Sequence, residues 1–524
     1  MSDDKSEATA EAEAVLRLLE SSEGSTETVM EGFASTVKKS GIIRRASASE
    51  VIDMMHSNSY HGKKNNVLCL DARTTKEYDE GCIPGALNLP LFSNEERVIV
   101  GTLFKNSGRG KAMTVGMEIV RPKFDELVRK ANALMKVRTD GGNSSETIIV
   151  HCWRGGMRSH ALAYLLQARG SFDIIVLTGG YKAFRNWARL VYCYIPVNAP
   201  YTFDISRPNT AKLRRELQRE KAKSKKAIKK KEARLHGLQG DGAEKRRLAM
   251  ARRDAMLEAD DKAAEETAAV ELTAARAEWS NQFPNPTPRI VIVGGRSGSG
   301  KTRVLLALRD ELGQQIVDLE GLAHHNGSAF GFVGHGEQPT NEQYSNIVAV
   351  EWFKLDPNRI VFIEDEGPGI GRVSTPAGLY SLMRTTPSLV RLVVPQAARI
   401  AVLLHDYTSV ADKDNDGNPS LEWRARMSEG ARSLTKRIGD LKLKSLLWDL
   451  ENGDYAAFAA TALSYYDGLY DNHIQNAGGC GNGAGVRSAT AVDIIVDPSA
   501  TDVDGEKIGR QVLEAVAFSQ LDTK

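Results

Sequence analysis

Cysteine is scarce in this 524-residue chain: Cys69, Cys82, Cys152, Cys193 and Cys480 are all there is, an odd number with no Cys-x-x-Cys pair. That argues against a disulfide framework and a structural zinc site, and it fits a reducing compartment. No apolar run approaches the roughly 18 residues a membrane helix needs, so no membrane association is expected. The first forty residues are acidic and rich in Ser, Ala and Thr, without the arginines of a transit peptide or an apolar secretory core, and the expected location is the cytoplasm. Net charge is nearly lacking, at +2, but it is unevenly placed. From Arg207 to Arg253 there are 18 Lys or Arg against 5 Asp or Glu, and proline is absent from Asn209 to Gln282.

What is present divides the chain. Residues 1–44 read as a disordered or loosely helical acidic tail. Residues 45–198 alternate short apolar runs, such as Val67–Leu70 and Ile148–Val150, with helical segments, the pattern of a buried parallel sheet. Residues 199–286 are a charged helical linker or insert. A second α/β domain is expected over 287–410 and a helical extension over 411–474. Residues 475–524 read as a glycine-rich joint with a small C-terminal strand and helix.

Two turns carry chemistry. The strand ending at Val150 runs into His151, Cys152, Trp153, Arg154, Gly155, Gly156, Met157, Arg158 and Ser159, ahead of a helix. A cysteine at a strand end, facing a helix N-terminus, meets backbone amides and the positive end of a dipole, which favour the thiolate. The glycines let the backbone curl, and Arg154 and Arg158 add positive charge. The loop is an anion holder around a nucleophilic Cys152. Its Cys-x5-Arg spacing is shared with cysteine phosphatases.

The second turn, Gly295-Arg296-Ser297-Gly298-Ser299-Gly300-Lys301-Thr302, fits G-x-x-x-x-G-K-[ST] between a strand and a helix. Its amides would wrap a phosphate chain, Lys301 would neutralise outer charge, and Thr302 could ligate Mg²⁺. Asp318, Glu364, Asp365 and Glu366 end nearby strands, where a Mg²⁺ contact or an acid–base group would sit. Asp412–Gly417 begins like a calcium loop, but Trp423 occupies the position that should be Glu, so a polar turn is expected.

The first domain resembles the rhodanese-like domains. The cysteine loop carries the likeness, together with Asp71-Ala72-Arg73, Glu77-Tyr78, Gly81 to Pro90, Gly179-Gly180-Tyr181 and Trp187. With the P-loop behind it, and with Asp318 to Gly331, Asn94 to Arg97, Val100 to Lys105 and Tyr465-Tyr466-Asp467, the chain is similar to the bacterial tRNA 2-selenouridine synthase family. The fold class implied is α/β: a rhodanese-like parallel-sheet domain plus a P-loop NTPase-like parallel-sheet domain, with a charged helical insert and a helical C-terminal part.

The resemblance implies an enzyme acting on 2-thiouridine at the wobble position of tRNA. It implies geranyl diphosphate and selenophosphate as co-substrates, an S-geranyl intermediate, and 2-selenouridine as product. Cys152 would carry selenium, and the P-loop would hold the diphosphate. Phe330 and Phe332 are candidates for a geranyl channel, with core packing the plainer expectation. The partner would be the anticodon region of tRNA, and an enzyme supplying selenophosphate is a further candidate. Arg424, Arg432, Lys436 and Arg437 fall on one expected helical stretch as phosphate contacts, with Arg432 and Lys436 sharing a face by their i,i+4 spacing. The basic insert is a second candidate arm or a solubilising spacer. Two alternatives stay open: a nucleotide-dependent kinase-like enzyme with a rhodanese or phosphatase module, and a non-catalytic tRNA-binding or sulfur-carrier scaffold.

Overall fold

Strands apolar on both faces need helices on both sides, and two sets of such strands govern this molecule. A computed structural model describes residues 43–138, 146–169, 173–193, 289–413, 418–476 and 492–521, apart from positions 57, 58, 61, 62, 65, 387 and 498. The acidic tail, the charged insert, residues 414–417 of the calcium-like turn and the glycine-rich segment 477–491 lie outside the described residues.

The first sheet holds β1 (Arg44–Ala46), β2 (Asn66–Asp71), β3 (Leu87–Asn88), β4 (Glu146–His151) and β5 (Asp173–Leu177) in the order β1-β5-β4-β2-β3. Every pairing is parallel, and Asp71 lies opposite His151. Ile148, Ile149 and Val150 of the central β4 are fully buried. The helices that matter below are α1 (Asn94–Val120), α2 (Met157–Arg169) and α3 (Gly180–Leu190).

The second sheet holds β6 (Ile290–Gly295), β7 (Gln315–Val317), β8 (Val361–Glu364), β9 (Leu389–Val393) and β10 (Val492–Ile495) in the order β10-β9-β6-β8-β7, again all parallel. Around it lie α4 (Lys301–Asp310), α5 (Leu319–Ala323), α6 (Asn341–Phe353) and α7 (Gln396–Thr408). A helical subdomain follows with α8 (Leu421–Ser433), α9 (Thr435–Ile438), α10 (Asp440–Glu451) and α11 (Tyr455–Asn476), closed around Phe330, Trp423, Met427, Leu446 and Phe458. The last strand does not stand apart from the P-loop sheet. β10 pairs with β9, and Ile508, Val512 and Val516 of α12 (Gly505–Leu521) share a core with Val304, Leu305 and Leu308 of α4. Both cover apolar surface that the sheet edge and α4 would otherwise expose to water.

One hydrophobic cluster crosses from the first sheet to the second, through Ile175, Tyr181 and Phe184 to Val348, Trp352, Ile292 and Ile363. Trp187 meets Phe353 edge-on at 5.3 Å. The two sheets are therefore packed on each other through α3 and α6, not strung loosely together.

Candidate active site

β4 delivers His151 and then Cys152, and α2 begins five residues later at Met157. Cys152 is 4% exposed, and its sulfur lies 3.3 Å from Ser159 Oγ, which in turn is 2.9 Å from the Gly156 carbonyl. Trp153, Arg154, Gly156 and Met157 are exposed above it. The thiol thus lies beneath exposed loop residues, packed at the edge of the first sheet's apolar core with the Ser159 hydroxyl beside its sulfur.

The loop is pinned from behind by α3. The amides of Tyr181 and Lys182 donate to the carbonyls of Cys152 and Trp153 at 2.8 and 2.9 Å. Only glycine fits at the contact: Gly155 has φ +61°, and a Cβ there would come within 2.7 Å of the Leu177 carbonyl. Arg158 was expected to lend its charge to the thiol. Its guanidinium also donates to Glu77 Oε2 at 2.7 Å and Oε1 at 3.4 Å, and its charge interacts with both Glu77 and Cys152. Burial pushes Glu77 up, but the Arg158 hydrogen bond and charge outweigh it and hold that carboxyl below its usual range. Arg158 is tied into this ion pair, and Arg154 sits exposed at the rim. Beneath the loop, His151 is fully buried 3.7 Å from Asp71, and burial lowers its pKa, which keeps it neutral.

The P-loop leaves β6 at Gly295 and enters α4 at Lys301. Gly300 takes φ +76° at the helix start, where a Cβ would strike Val503 at 2.7 Å. Gly298 has the same positive φ, and its backbone lies close to the Arg399 carbonyl. Lys301 Nζ donates to the Gly295 carbonyl at 3.2 Å, folding over the loop. Ser299 is buried, and its hydroxyl has no hydrogen-bond partner among the described residues. An orphaned donor inside a ring of glycines is what a bound phosphate oxygen would satisfy. Arg399 props the loop from outside: Nε donates to the Ser297 carbonyl at 2.9 Å, while the other two nitrogens grip Asp467 at 3.0 and 2.5 Å. Arg296 comes within 3.8 Å of the same carboxylate.

Behind Lys301 and Thr302 lie three carboxylates. Oxygens of Glu320, Glu364 and Glu366 are all within 4.8 Å of one another. Thr302 Oγ1 is 3.4 Å from both Glu320 and Glu364. Burial, with Glu366 and Asp318 adding repulsion, pushes the Glu364 carboxyl up to about 8. Burial and the same crowding raise Glu320 well above its ordinary value, and burial raises Glu366. A divalent cation among them would relieve the repulsion, and hard oxygen donors of this kind suit Mg²⁺.

Of the four acids expected here, Glu364 and Glu366 take part. Asp318 spends its side chain capping α5, accepting from the Gly321 amide at 2.8 Å, and Asp365 turns to Arg384 at 2.5 Å. Glu320 was missed. Asp-x-Glu-Gly at a helix start held the clue, because a capping Asp leaves the next acid of that turn to face the strand ends.

A polar chain ties the cysteine domain to α6 of the P-loop domain. Arg73 donates to Asp71 and to the Gly81 carbonyl, each at 2.6 Å, and lies 3.8 Å over the Tyr181 ring. The Tyr181 hydroxyl donates to Glu342 Oε1 and accepts from Asn346 Nδ2, both at 2.8 Å and both on α6. The Cys82 amide donates to Gln343 on the same helix at 2.8 Å.

The sequence profile of the rhodanese-like domain matches residues 47–186, and that of the tRNA 2-selenouridine synthase AAA domain matches residues 288–479. Along 78% of this chain, and 90% of the relative, the sequence is 28% identical to a tRNA 2-selenouridine synthase of Sulfurovum sp.. Proteins of the same name from Bdellovibrio bacteriovorus and Psychromonas ingrahamii are 25% and 24% identical over 78% of this chain, covering 89% and 87% of their own lengths. The chain resembles the tRNA 2-selenouridine synthases over most of its length.

Several motifs that mark the tRNA 2-selenouridine synthase family here acquire physical roles. Gly179-Gly180-Tyr181 is the shelf for the cysteine loop. Tyr466 accepts from the Ala329 amide at 2.8 Å, and Asp467 anchors Arg399. Phe330 is buried against Phe458, and Phe332 lies beneath Arg426, so both pack as core. The expected single helix for tRNA contact is broken. Arg424 and Arg432 lie on α8, but the turn at Leu434 places Lys436 and Arg437 on the separate α9, and Gly439 with φ +79° ends that. Arg432 and Lys436 therefore do not share one helix face. Arg432, Lys436 and Arg437 are exposed, whereas Arg424 is half-buried and donates to the Pro419 carbonyl.

Proposed function

We propose that this protein converts 2-thiouridine at the tRNA wobble position into 2-selenouridine, using geranyl diphosphate and selenophosphate. In the first half-reaction the thiocarbonyl sulfur attacks C1 of the geranyl group. The C–O bond to diphosphate breaks, the uridine loses its N3 proton, and S-geranyl-2-thiouridine forms. Lys301, the loop amides and Ser299 Oγ would take the charge that develops on diphosphate. Glu320, Glu364, Glu366 and Thr302 would hold a Mg²⁺ ion, which supplies further neutralisation of diphosphate when bound. In the second half-reaction water cleaves the Se–P bond of selenophosphate to give phosphate and hydrogen selenide anion; its selenium adds at C2, its proton returns to N3 and geranylthiolate leaves, with the Cys152 loop as the place that would hold the selenide anion.

One observation carries the reading: a cysteine loop and an anion-ready P-loop are built into a single packed unit, with Tyr181 touching both sides. A carrier scaffold would need only the first. A nucleotide-dependent enzyme is the second reading, because the same carboxylates and lysine suit Mg²⁺–nucleotide. The deciding experiment incubates the protein with 2-thiouridine-containing tRNA, geranyl diphosphate and selenophosphate, followed by nucleoside mass spectrometry. The proposal expects S-geranyl-2-thiouridine and 2-selenouridine. Nucleotide hydrolysis with unmodified tRNA would favour the second reading.

A further inference from the structure

Helix α1 is not one rod. Gly108, with φ +86°, interrupts it, and a Cβ at Gly116 would lie 3.8 Å from Val100 and 3.3 Å from Phe92. In a straight helix, positions 100 and 116 would be about 24 Å apart. The chain therefore doubles back at Gly108 into a helical hairpin. Val100, Met113 and Met117 at its base pack on the core of the first sheet. The tip leaves that core: residues 104–111 are all exposed.

The composition of this arm is one-sided. Between Arg97 and Lys111 lie four cations (Arg97, Lys105, Arg109 and Lys111) and no acid. Lys105, Arg109 and Lys111 are all exposed to solvent. Phe104 and Ile99 are each 51% exposed beside them, and Val98 is 60% exposed. A tip reading Phe-Lys-Asn-Ser-Gly-Arg-Gly-Lys offers cations for phosphates, an aromatic face for a base, and glycines that let backbone amides approach closely. The arm also has a fixed relation to the chemistry. Arg97 at its root is 4.0 Å from Glu77, the carboxylate that holds Arg158 of the cysteine loop.

We infer that this hairpin is an RNA-binding arm that holds the substrate strand beside the Cys152 loop, with Lys105, Arg109 and Lys111 on phosphates and Phe104 stacked on an unpaired base. The inference rests on tRNA being the substrate. Charge complementarity selects the occupant. Phosphate-rich single strands combine dense negative charge with exposed aromatic rings, which matches a basic tip carrying Phe104.

The test measures binding of an anticodon stem–loop to the full-length protein across a salt series. The variants are Lys105→Gln/Arg109→Gln/Lys111→Gln and, separately, Phe104→Ala. The triple variant should bind at least about tenfold more weakly at low salt, and its slope of log affinity against log salt should be shallower by about 2. Phe104→Ala should lose roughly five- to tenfold with the slope unchanged, because stacking releases no counterions. Iodoacetamide labelling of Cys152 should keep its wild-type rate in both, which reports an intact loop. Wild-type affinity and slope in the triple variant, with the parent protein binding RNA normally, would overturn the arm while leaving the tRNA reading in place. If those variants instead lose only selenium delivery from a donor enzyme, the arm docks a protein and the inference is wrong. Failure of the parent protein to bind any tRNA would remove the functional reading itself.

Discussion

Tyr181 donates its phenolic proton to Glu342 Oε1 at 2.8 Å, across the seam between the sheet that carries Cys152 and the sheet that carries Lys301. Its backbone amide meanwhile holds the Cys152 carbonyl. One residue therefore fixes the loop with its main chain and the neighbouring domain with its side chain. Tyr181→Phe keeps the ring under Arg73 but removes the hydrogen bond to Glu342, while Asn346 Nδ2 still donates to the Cys82 carbonyl at 2.9 Å. The loss of such a hydrogen bond costs about 0.5–1.5 kcal/mol. The expected result in thermal denaturation is a midpoint lower by a few degrees, with faster iodoacetamide labelling of Cys152 as the seam loosens. Unchanged labelling would confine Tyr181 to stability alone.

Removing the thiol separates the two half-reactions. Cys152→Ala leaves the P-loop, the carboxylates and the shelf at Gly179–Tyr181 untouched. Nucleoside mass spectrometry should then find S-geranyl-2-thiouridine accumulating and 2-selenouridine absent. Ser159→Ala, which removes only the hydroxyl 3.3 Å from the sulfur, should slow selenium incorporation without abolishing it. Full selenation by Cys152→Ala would show that selenium bypasses this residue.

Much of the fold could be read from the chain because its strands are short apolar runs bounded by glycine, and glycine positions are dictated locally. Gly155 and Gly300 are visible as turns in sequence and do sit at positive φ. The misreadings involve side chains whose partners lie far along the chain. Arg158 meets Glu77, 81 positions earlier, a partner that local reading of the cysteine loop could not supply. Asp365 and Glu366 are adjacent just past the end of β8, yet one turns to Arg384 and the other to the carboxylate cluster. Glu320 lay hidden behind its capping neighbour Asp318. The split between α8 and α9 depends on the turn at Leu434, a residue with no breaker character of its own.

Lys301 folds back onto the Gly295 carbonyl and so waits where outer phosphate oxygens would lie. If diphosphate departure is the step it serves, Lys301→Ala should reduce geranylation by roughly 10²–10³-fold, the usual loss for one preorganised electrostatic donor. Ser299→Ala should lose less, because one hydroxyl among several amides is removed. Single-turnover geranylation with excess enzyme isolates this step from selenium transfer. Equal losses in geranylation and in tRNA binding would assign Lys301 to RNA instead.

Arg399 couples α7, the P-loop and α11 through three hydrogen bonds, and it is almost wholly buried. Arg399→Leu strands Asp467 and frees the Ser297 carbonyl. Breaking a buried pair in this way costs roughly 3–5 kcal/mol. Arg399→Lys keeps the charge but cannot make the fork, so it should recover part of the stability and little of the diphosphate affinity. Chemical denaturation and diphosphate titration together read both effects.

The carboxylate cluster makes stability depend on pH in a direction opposite to that of ion-paired acids such as Glu77. The Glu364 carboxyl is raised in the fold from an ordinary value of 4.5 to about 8, so the folded state binds its proton more tightly than the unfolded chain does. The stability it contributes is full below the lower value and is lost as pH rises through the higher one. Metal-free protein should therefore lose thermal stability between about pH 5.5 and about pH 8.5. Mg²⁺ binds the ionised carboxylates, so its stabilising shift should be small at the acid end and several degrees at the alkaline end. Glu364→Gln removes the titration. It should flatten the pH profile, stabilise the metal-free protein at alkaline pH and abolish most of the Mg²⁺ shift. A Mg²⁺ shift of equal size at both pH values, and equal in Glu364→Gln, would place the metal somewhere other than among Glu320, Glu364 and Glu366.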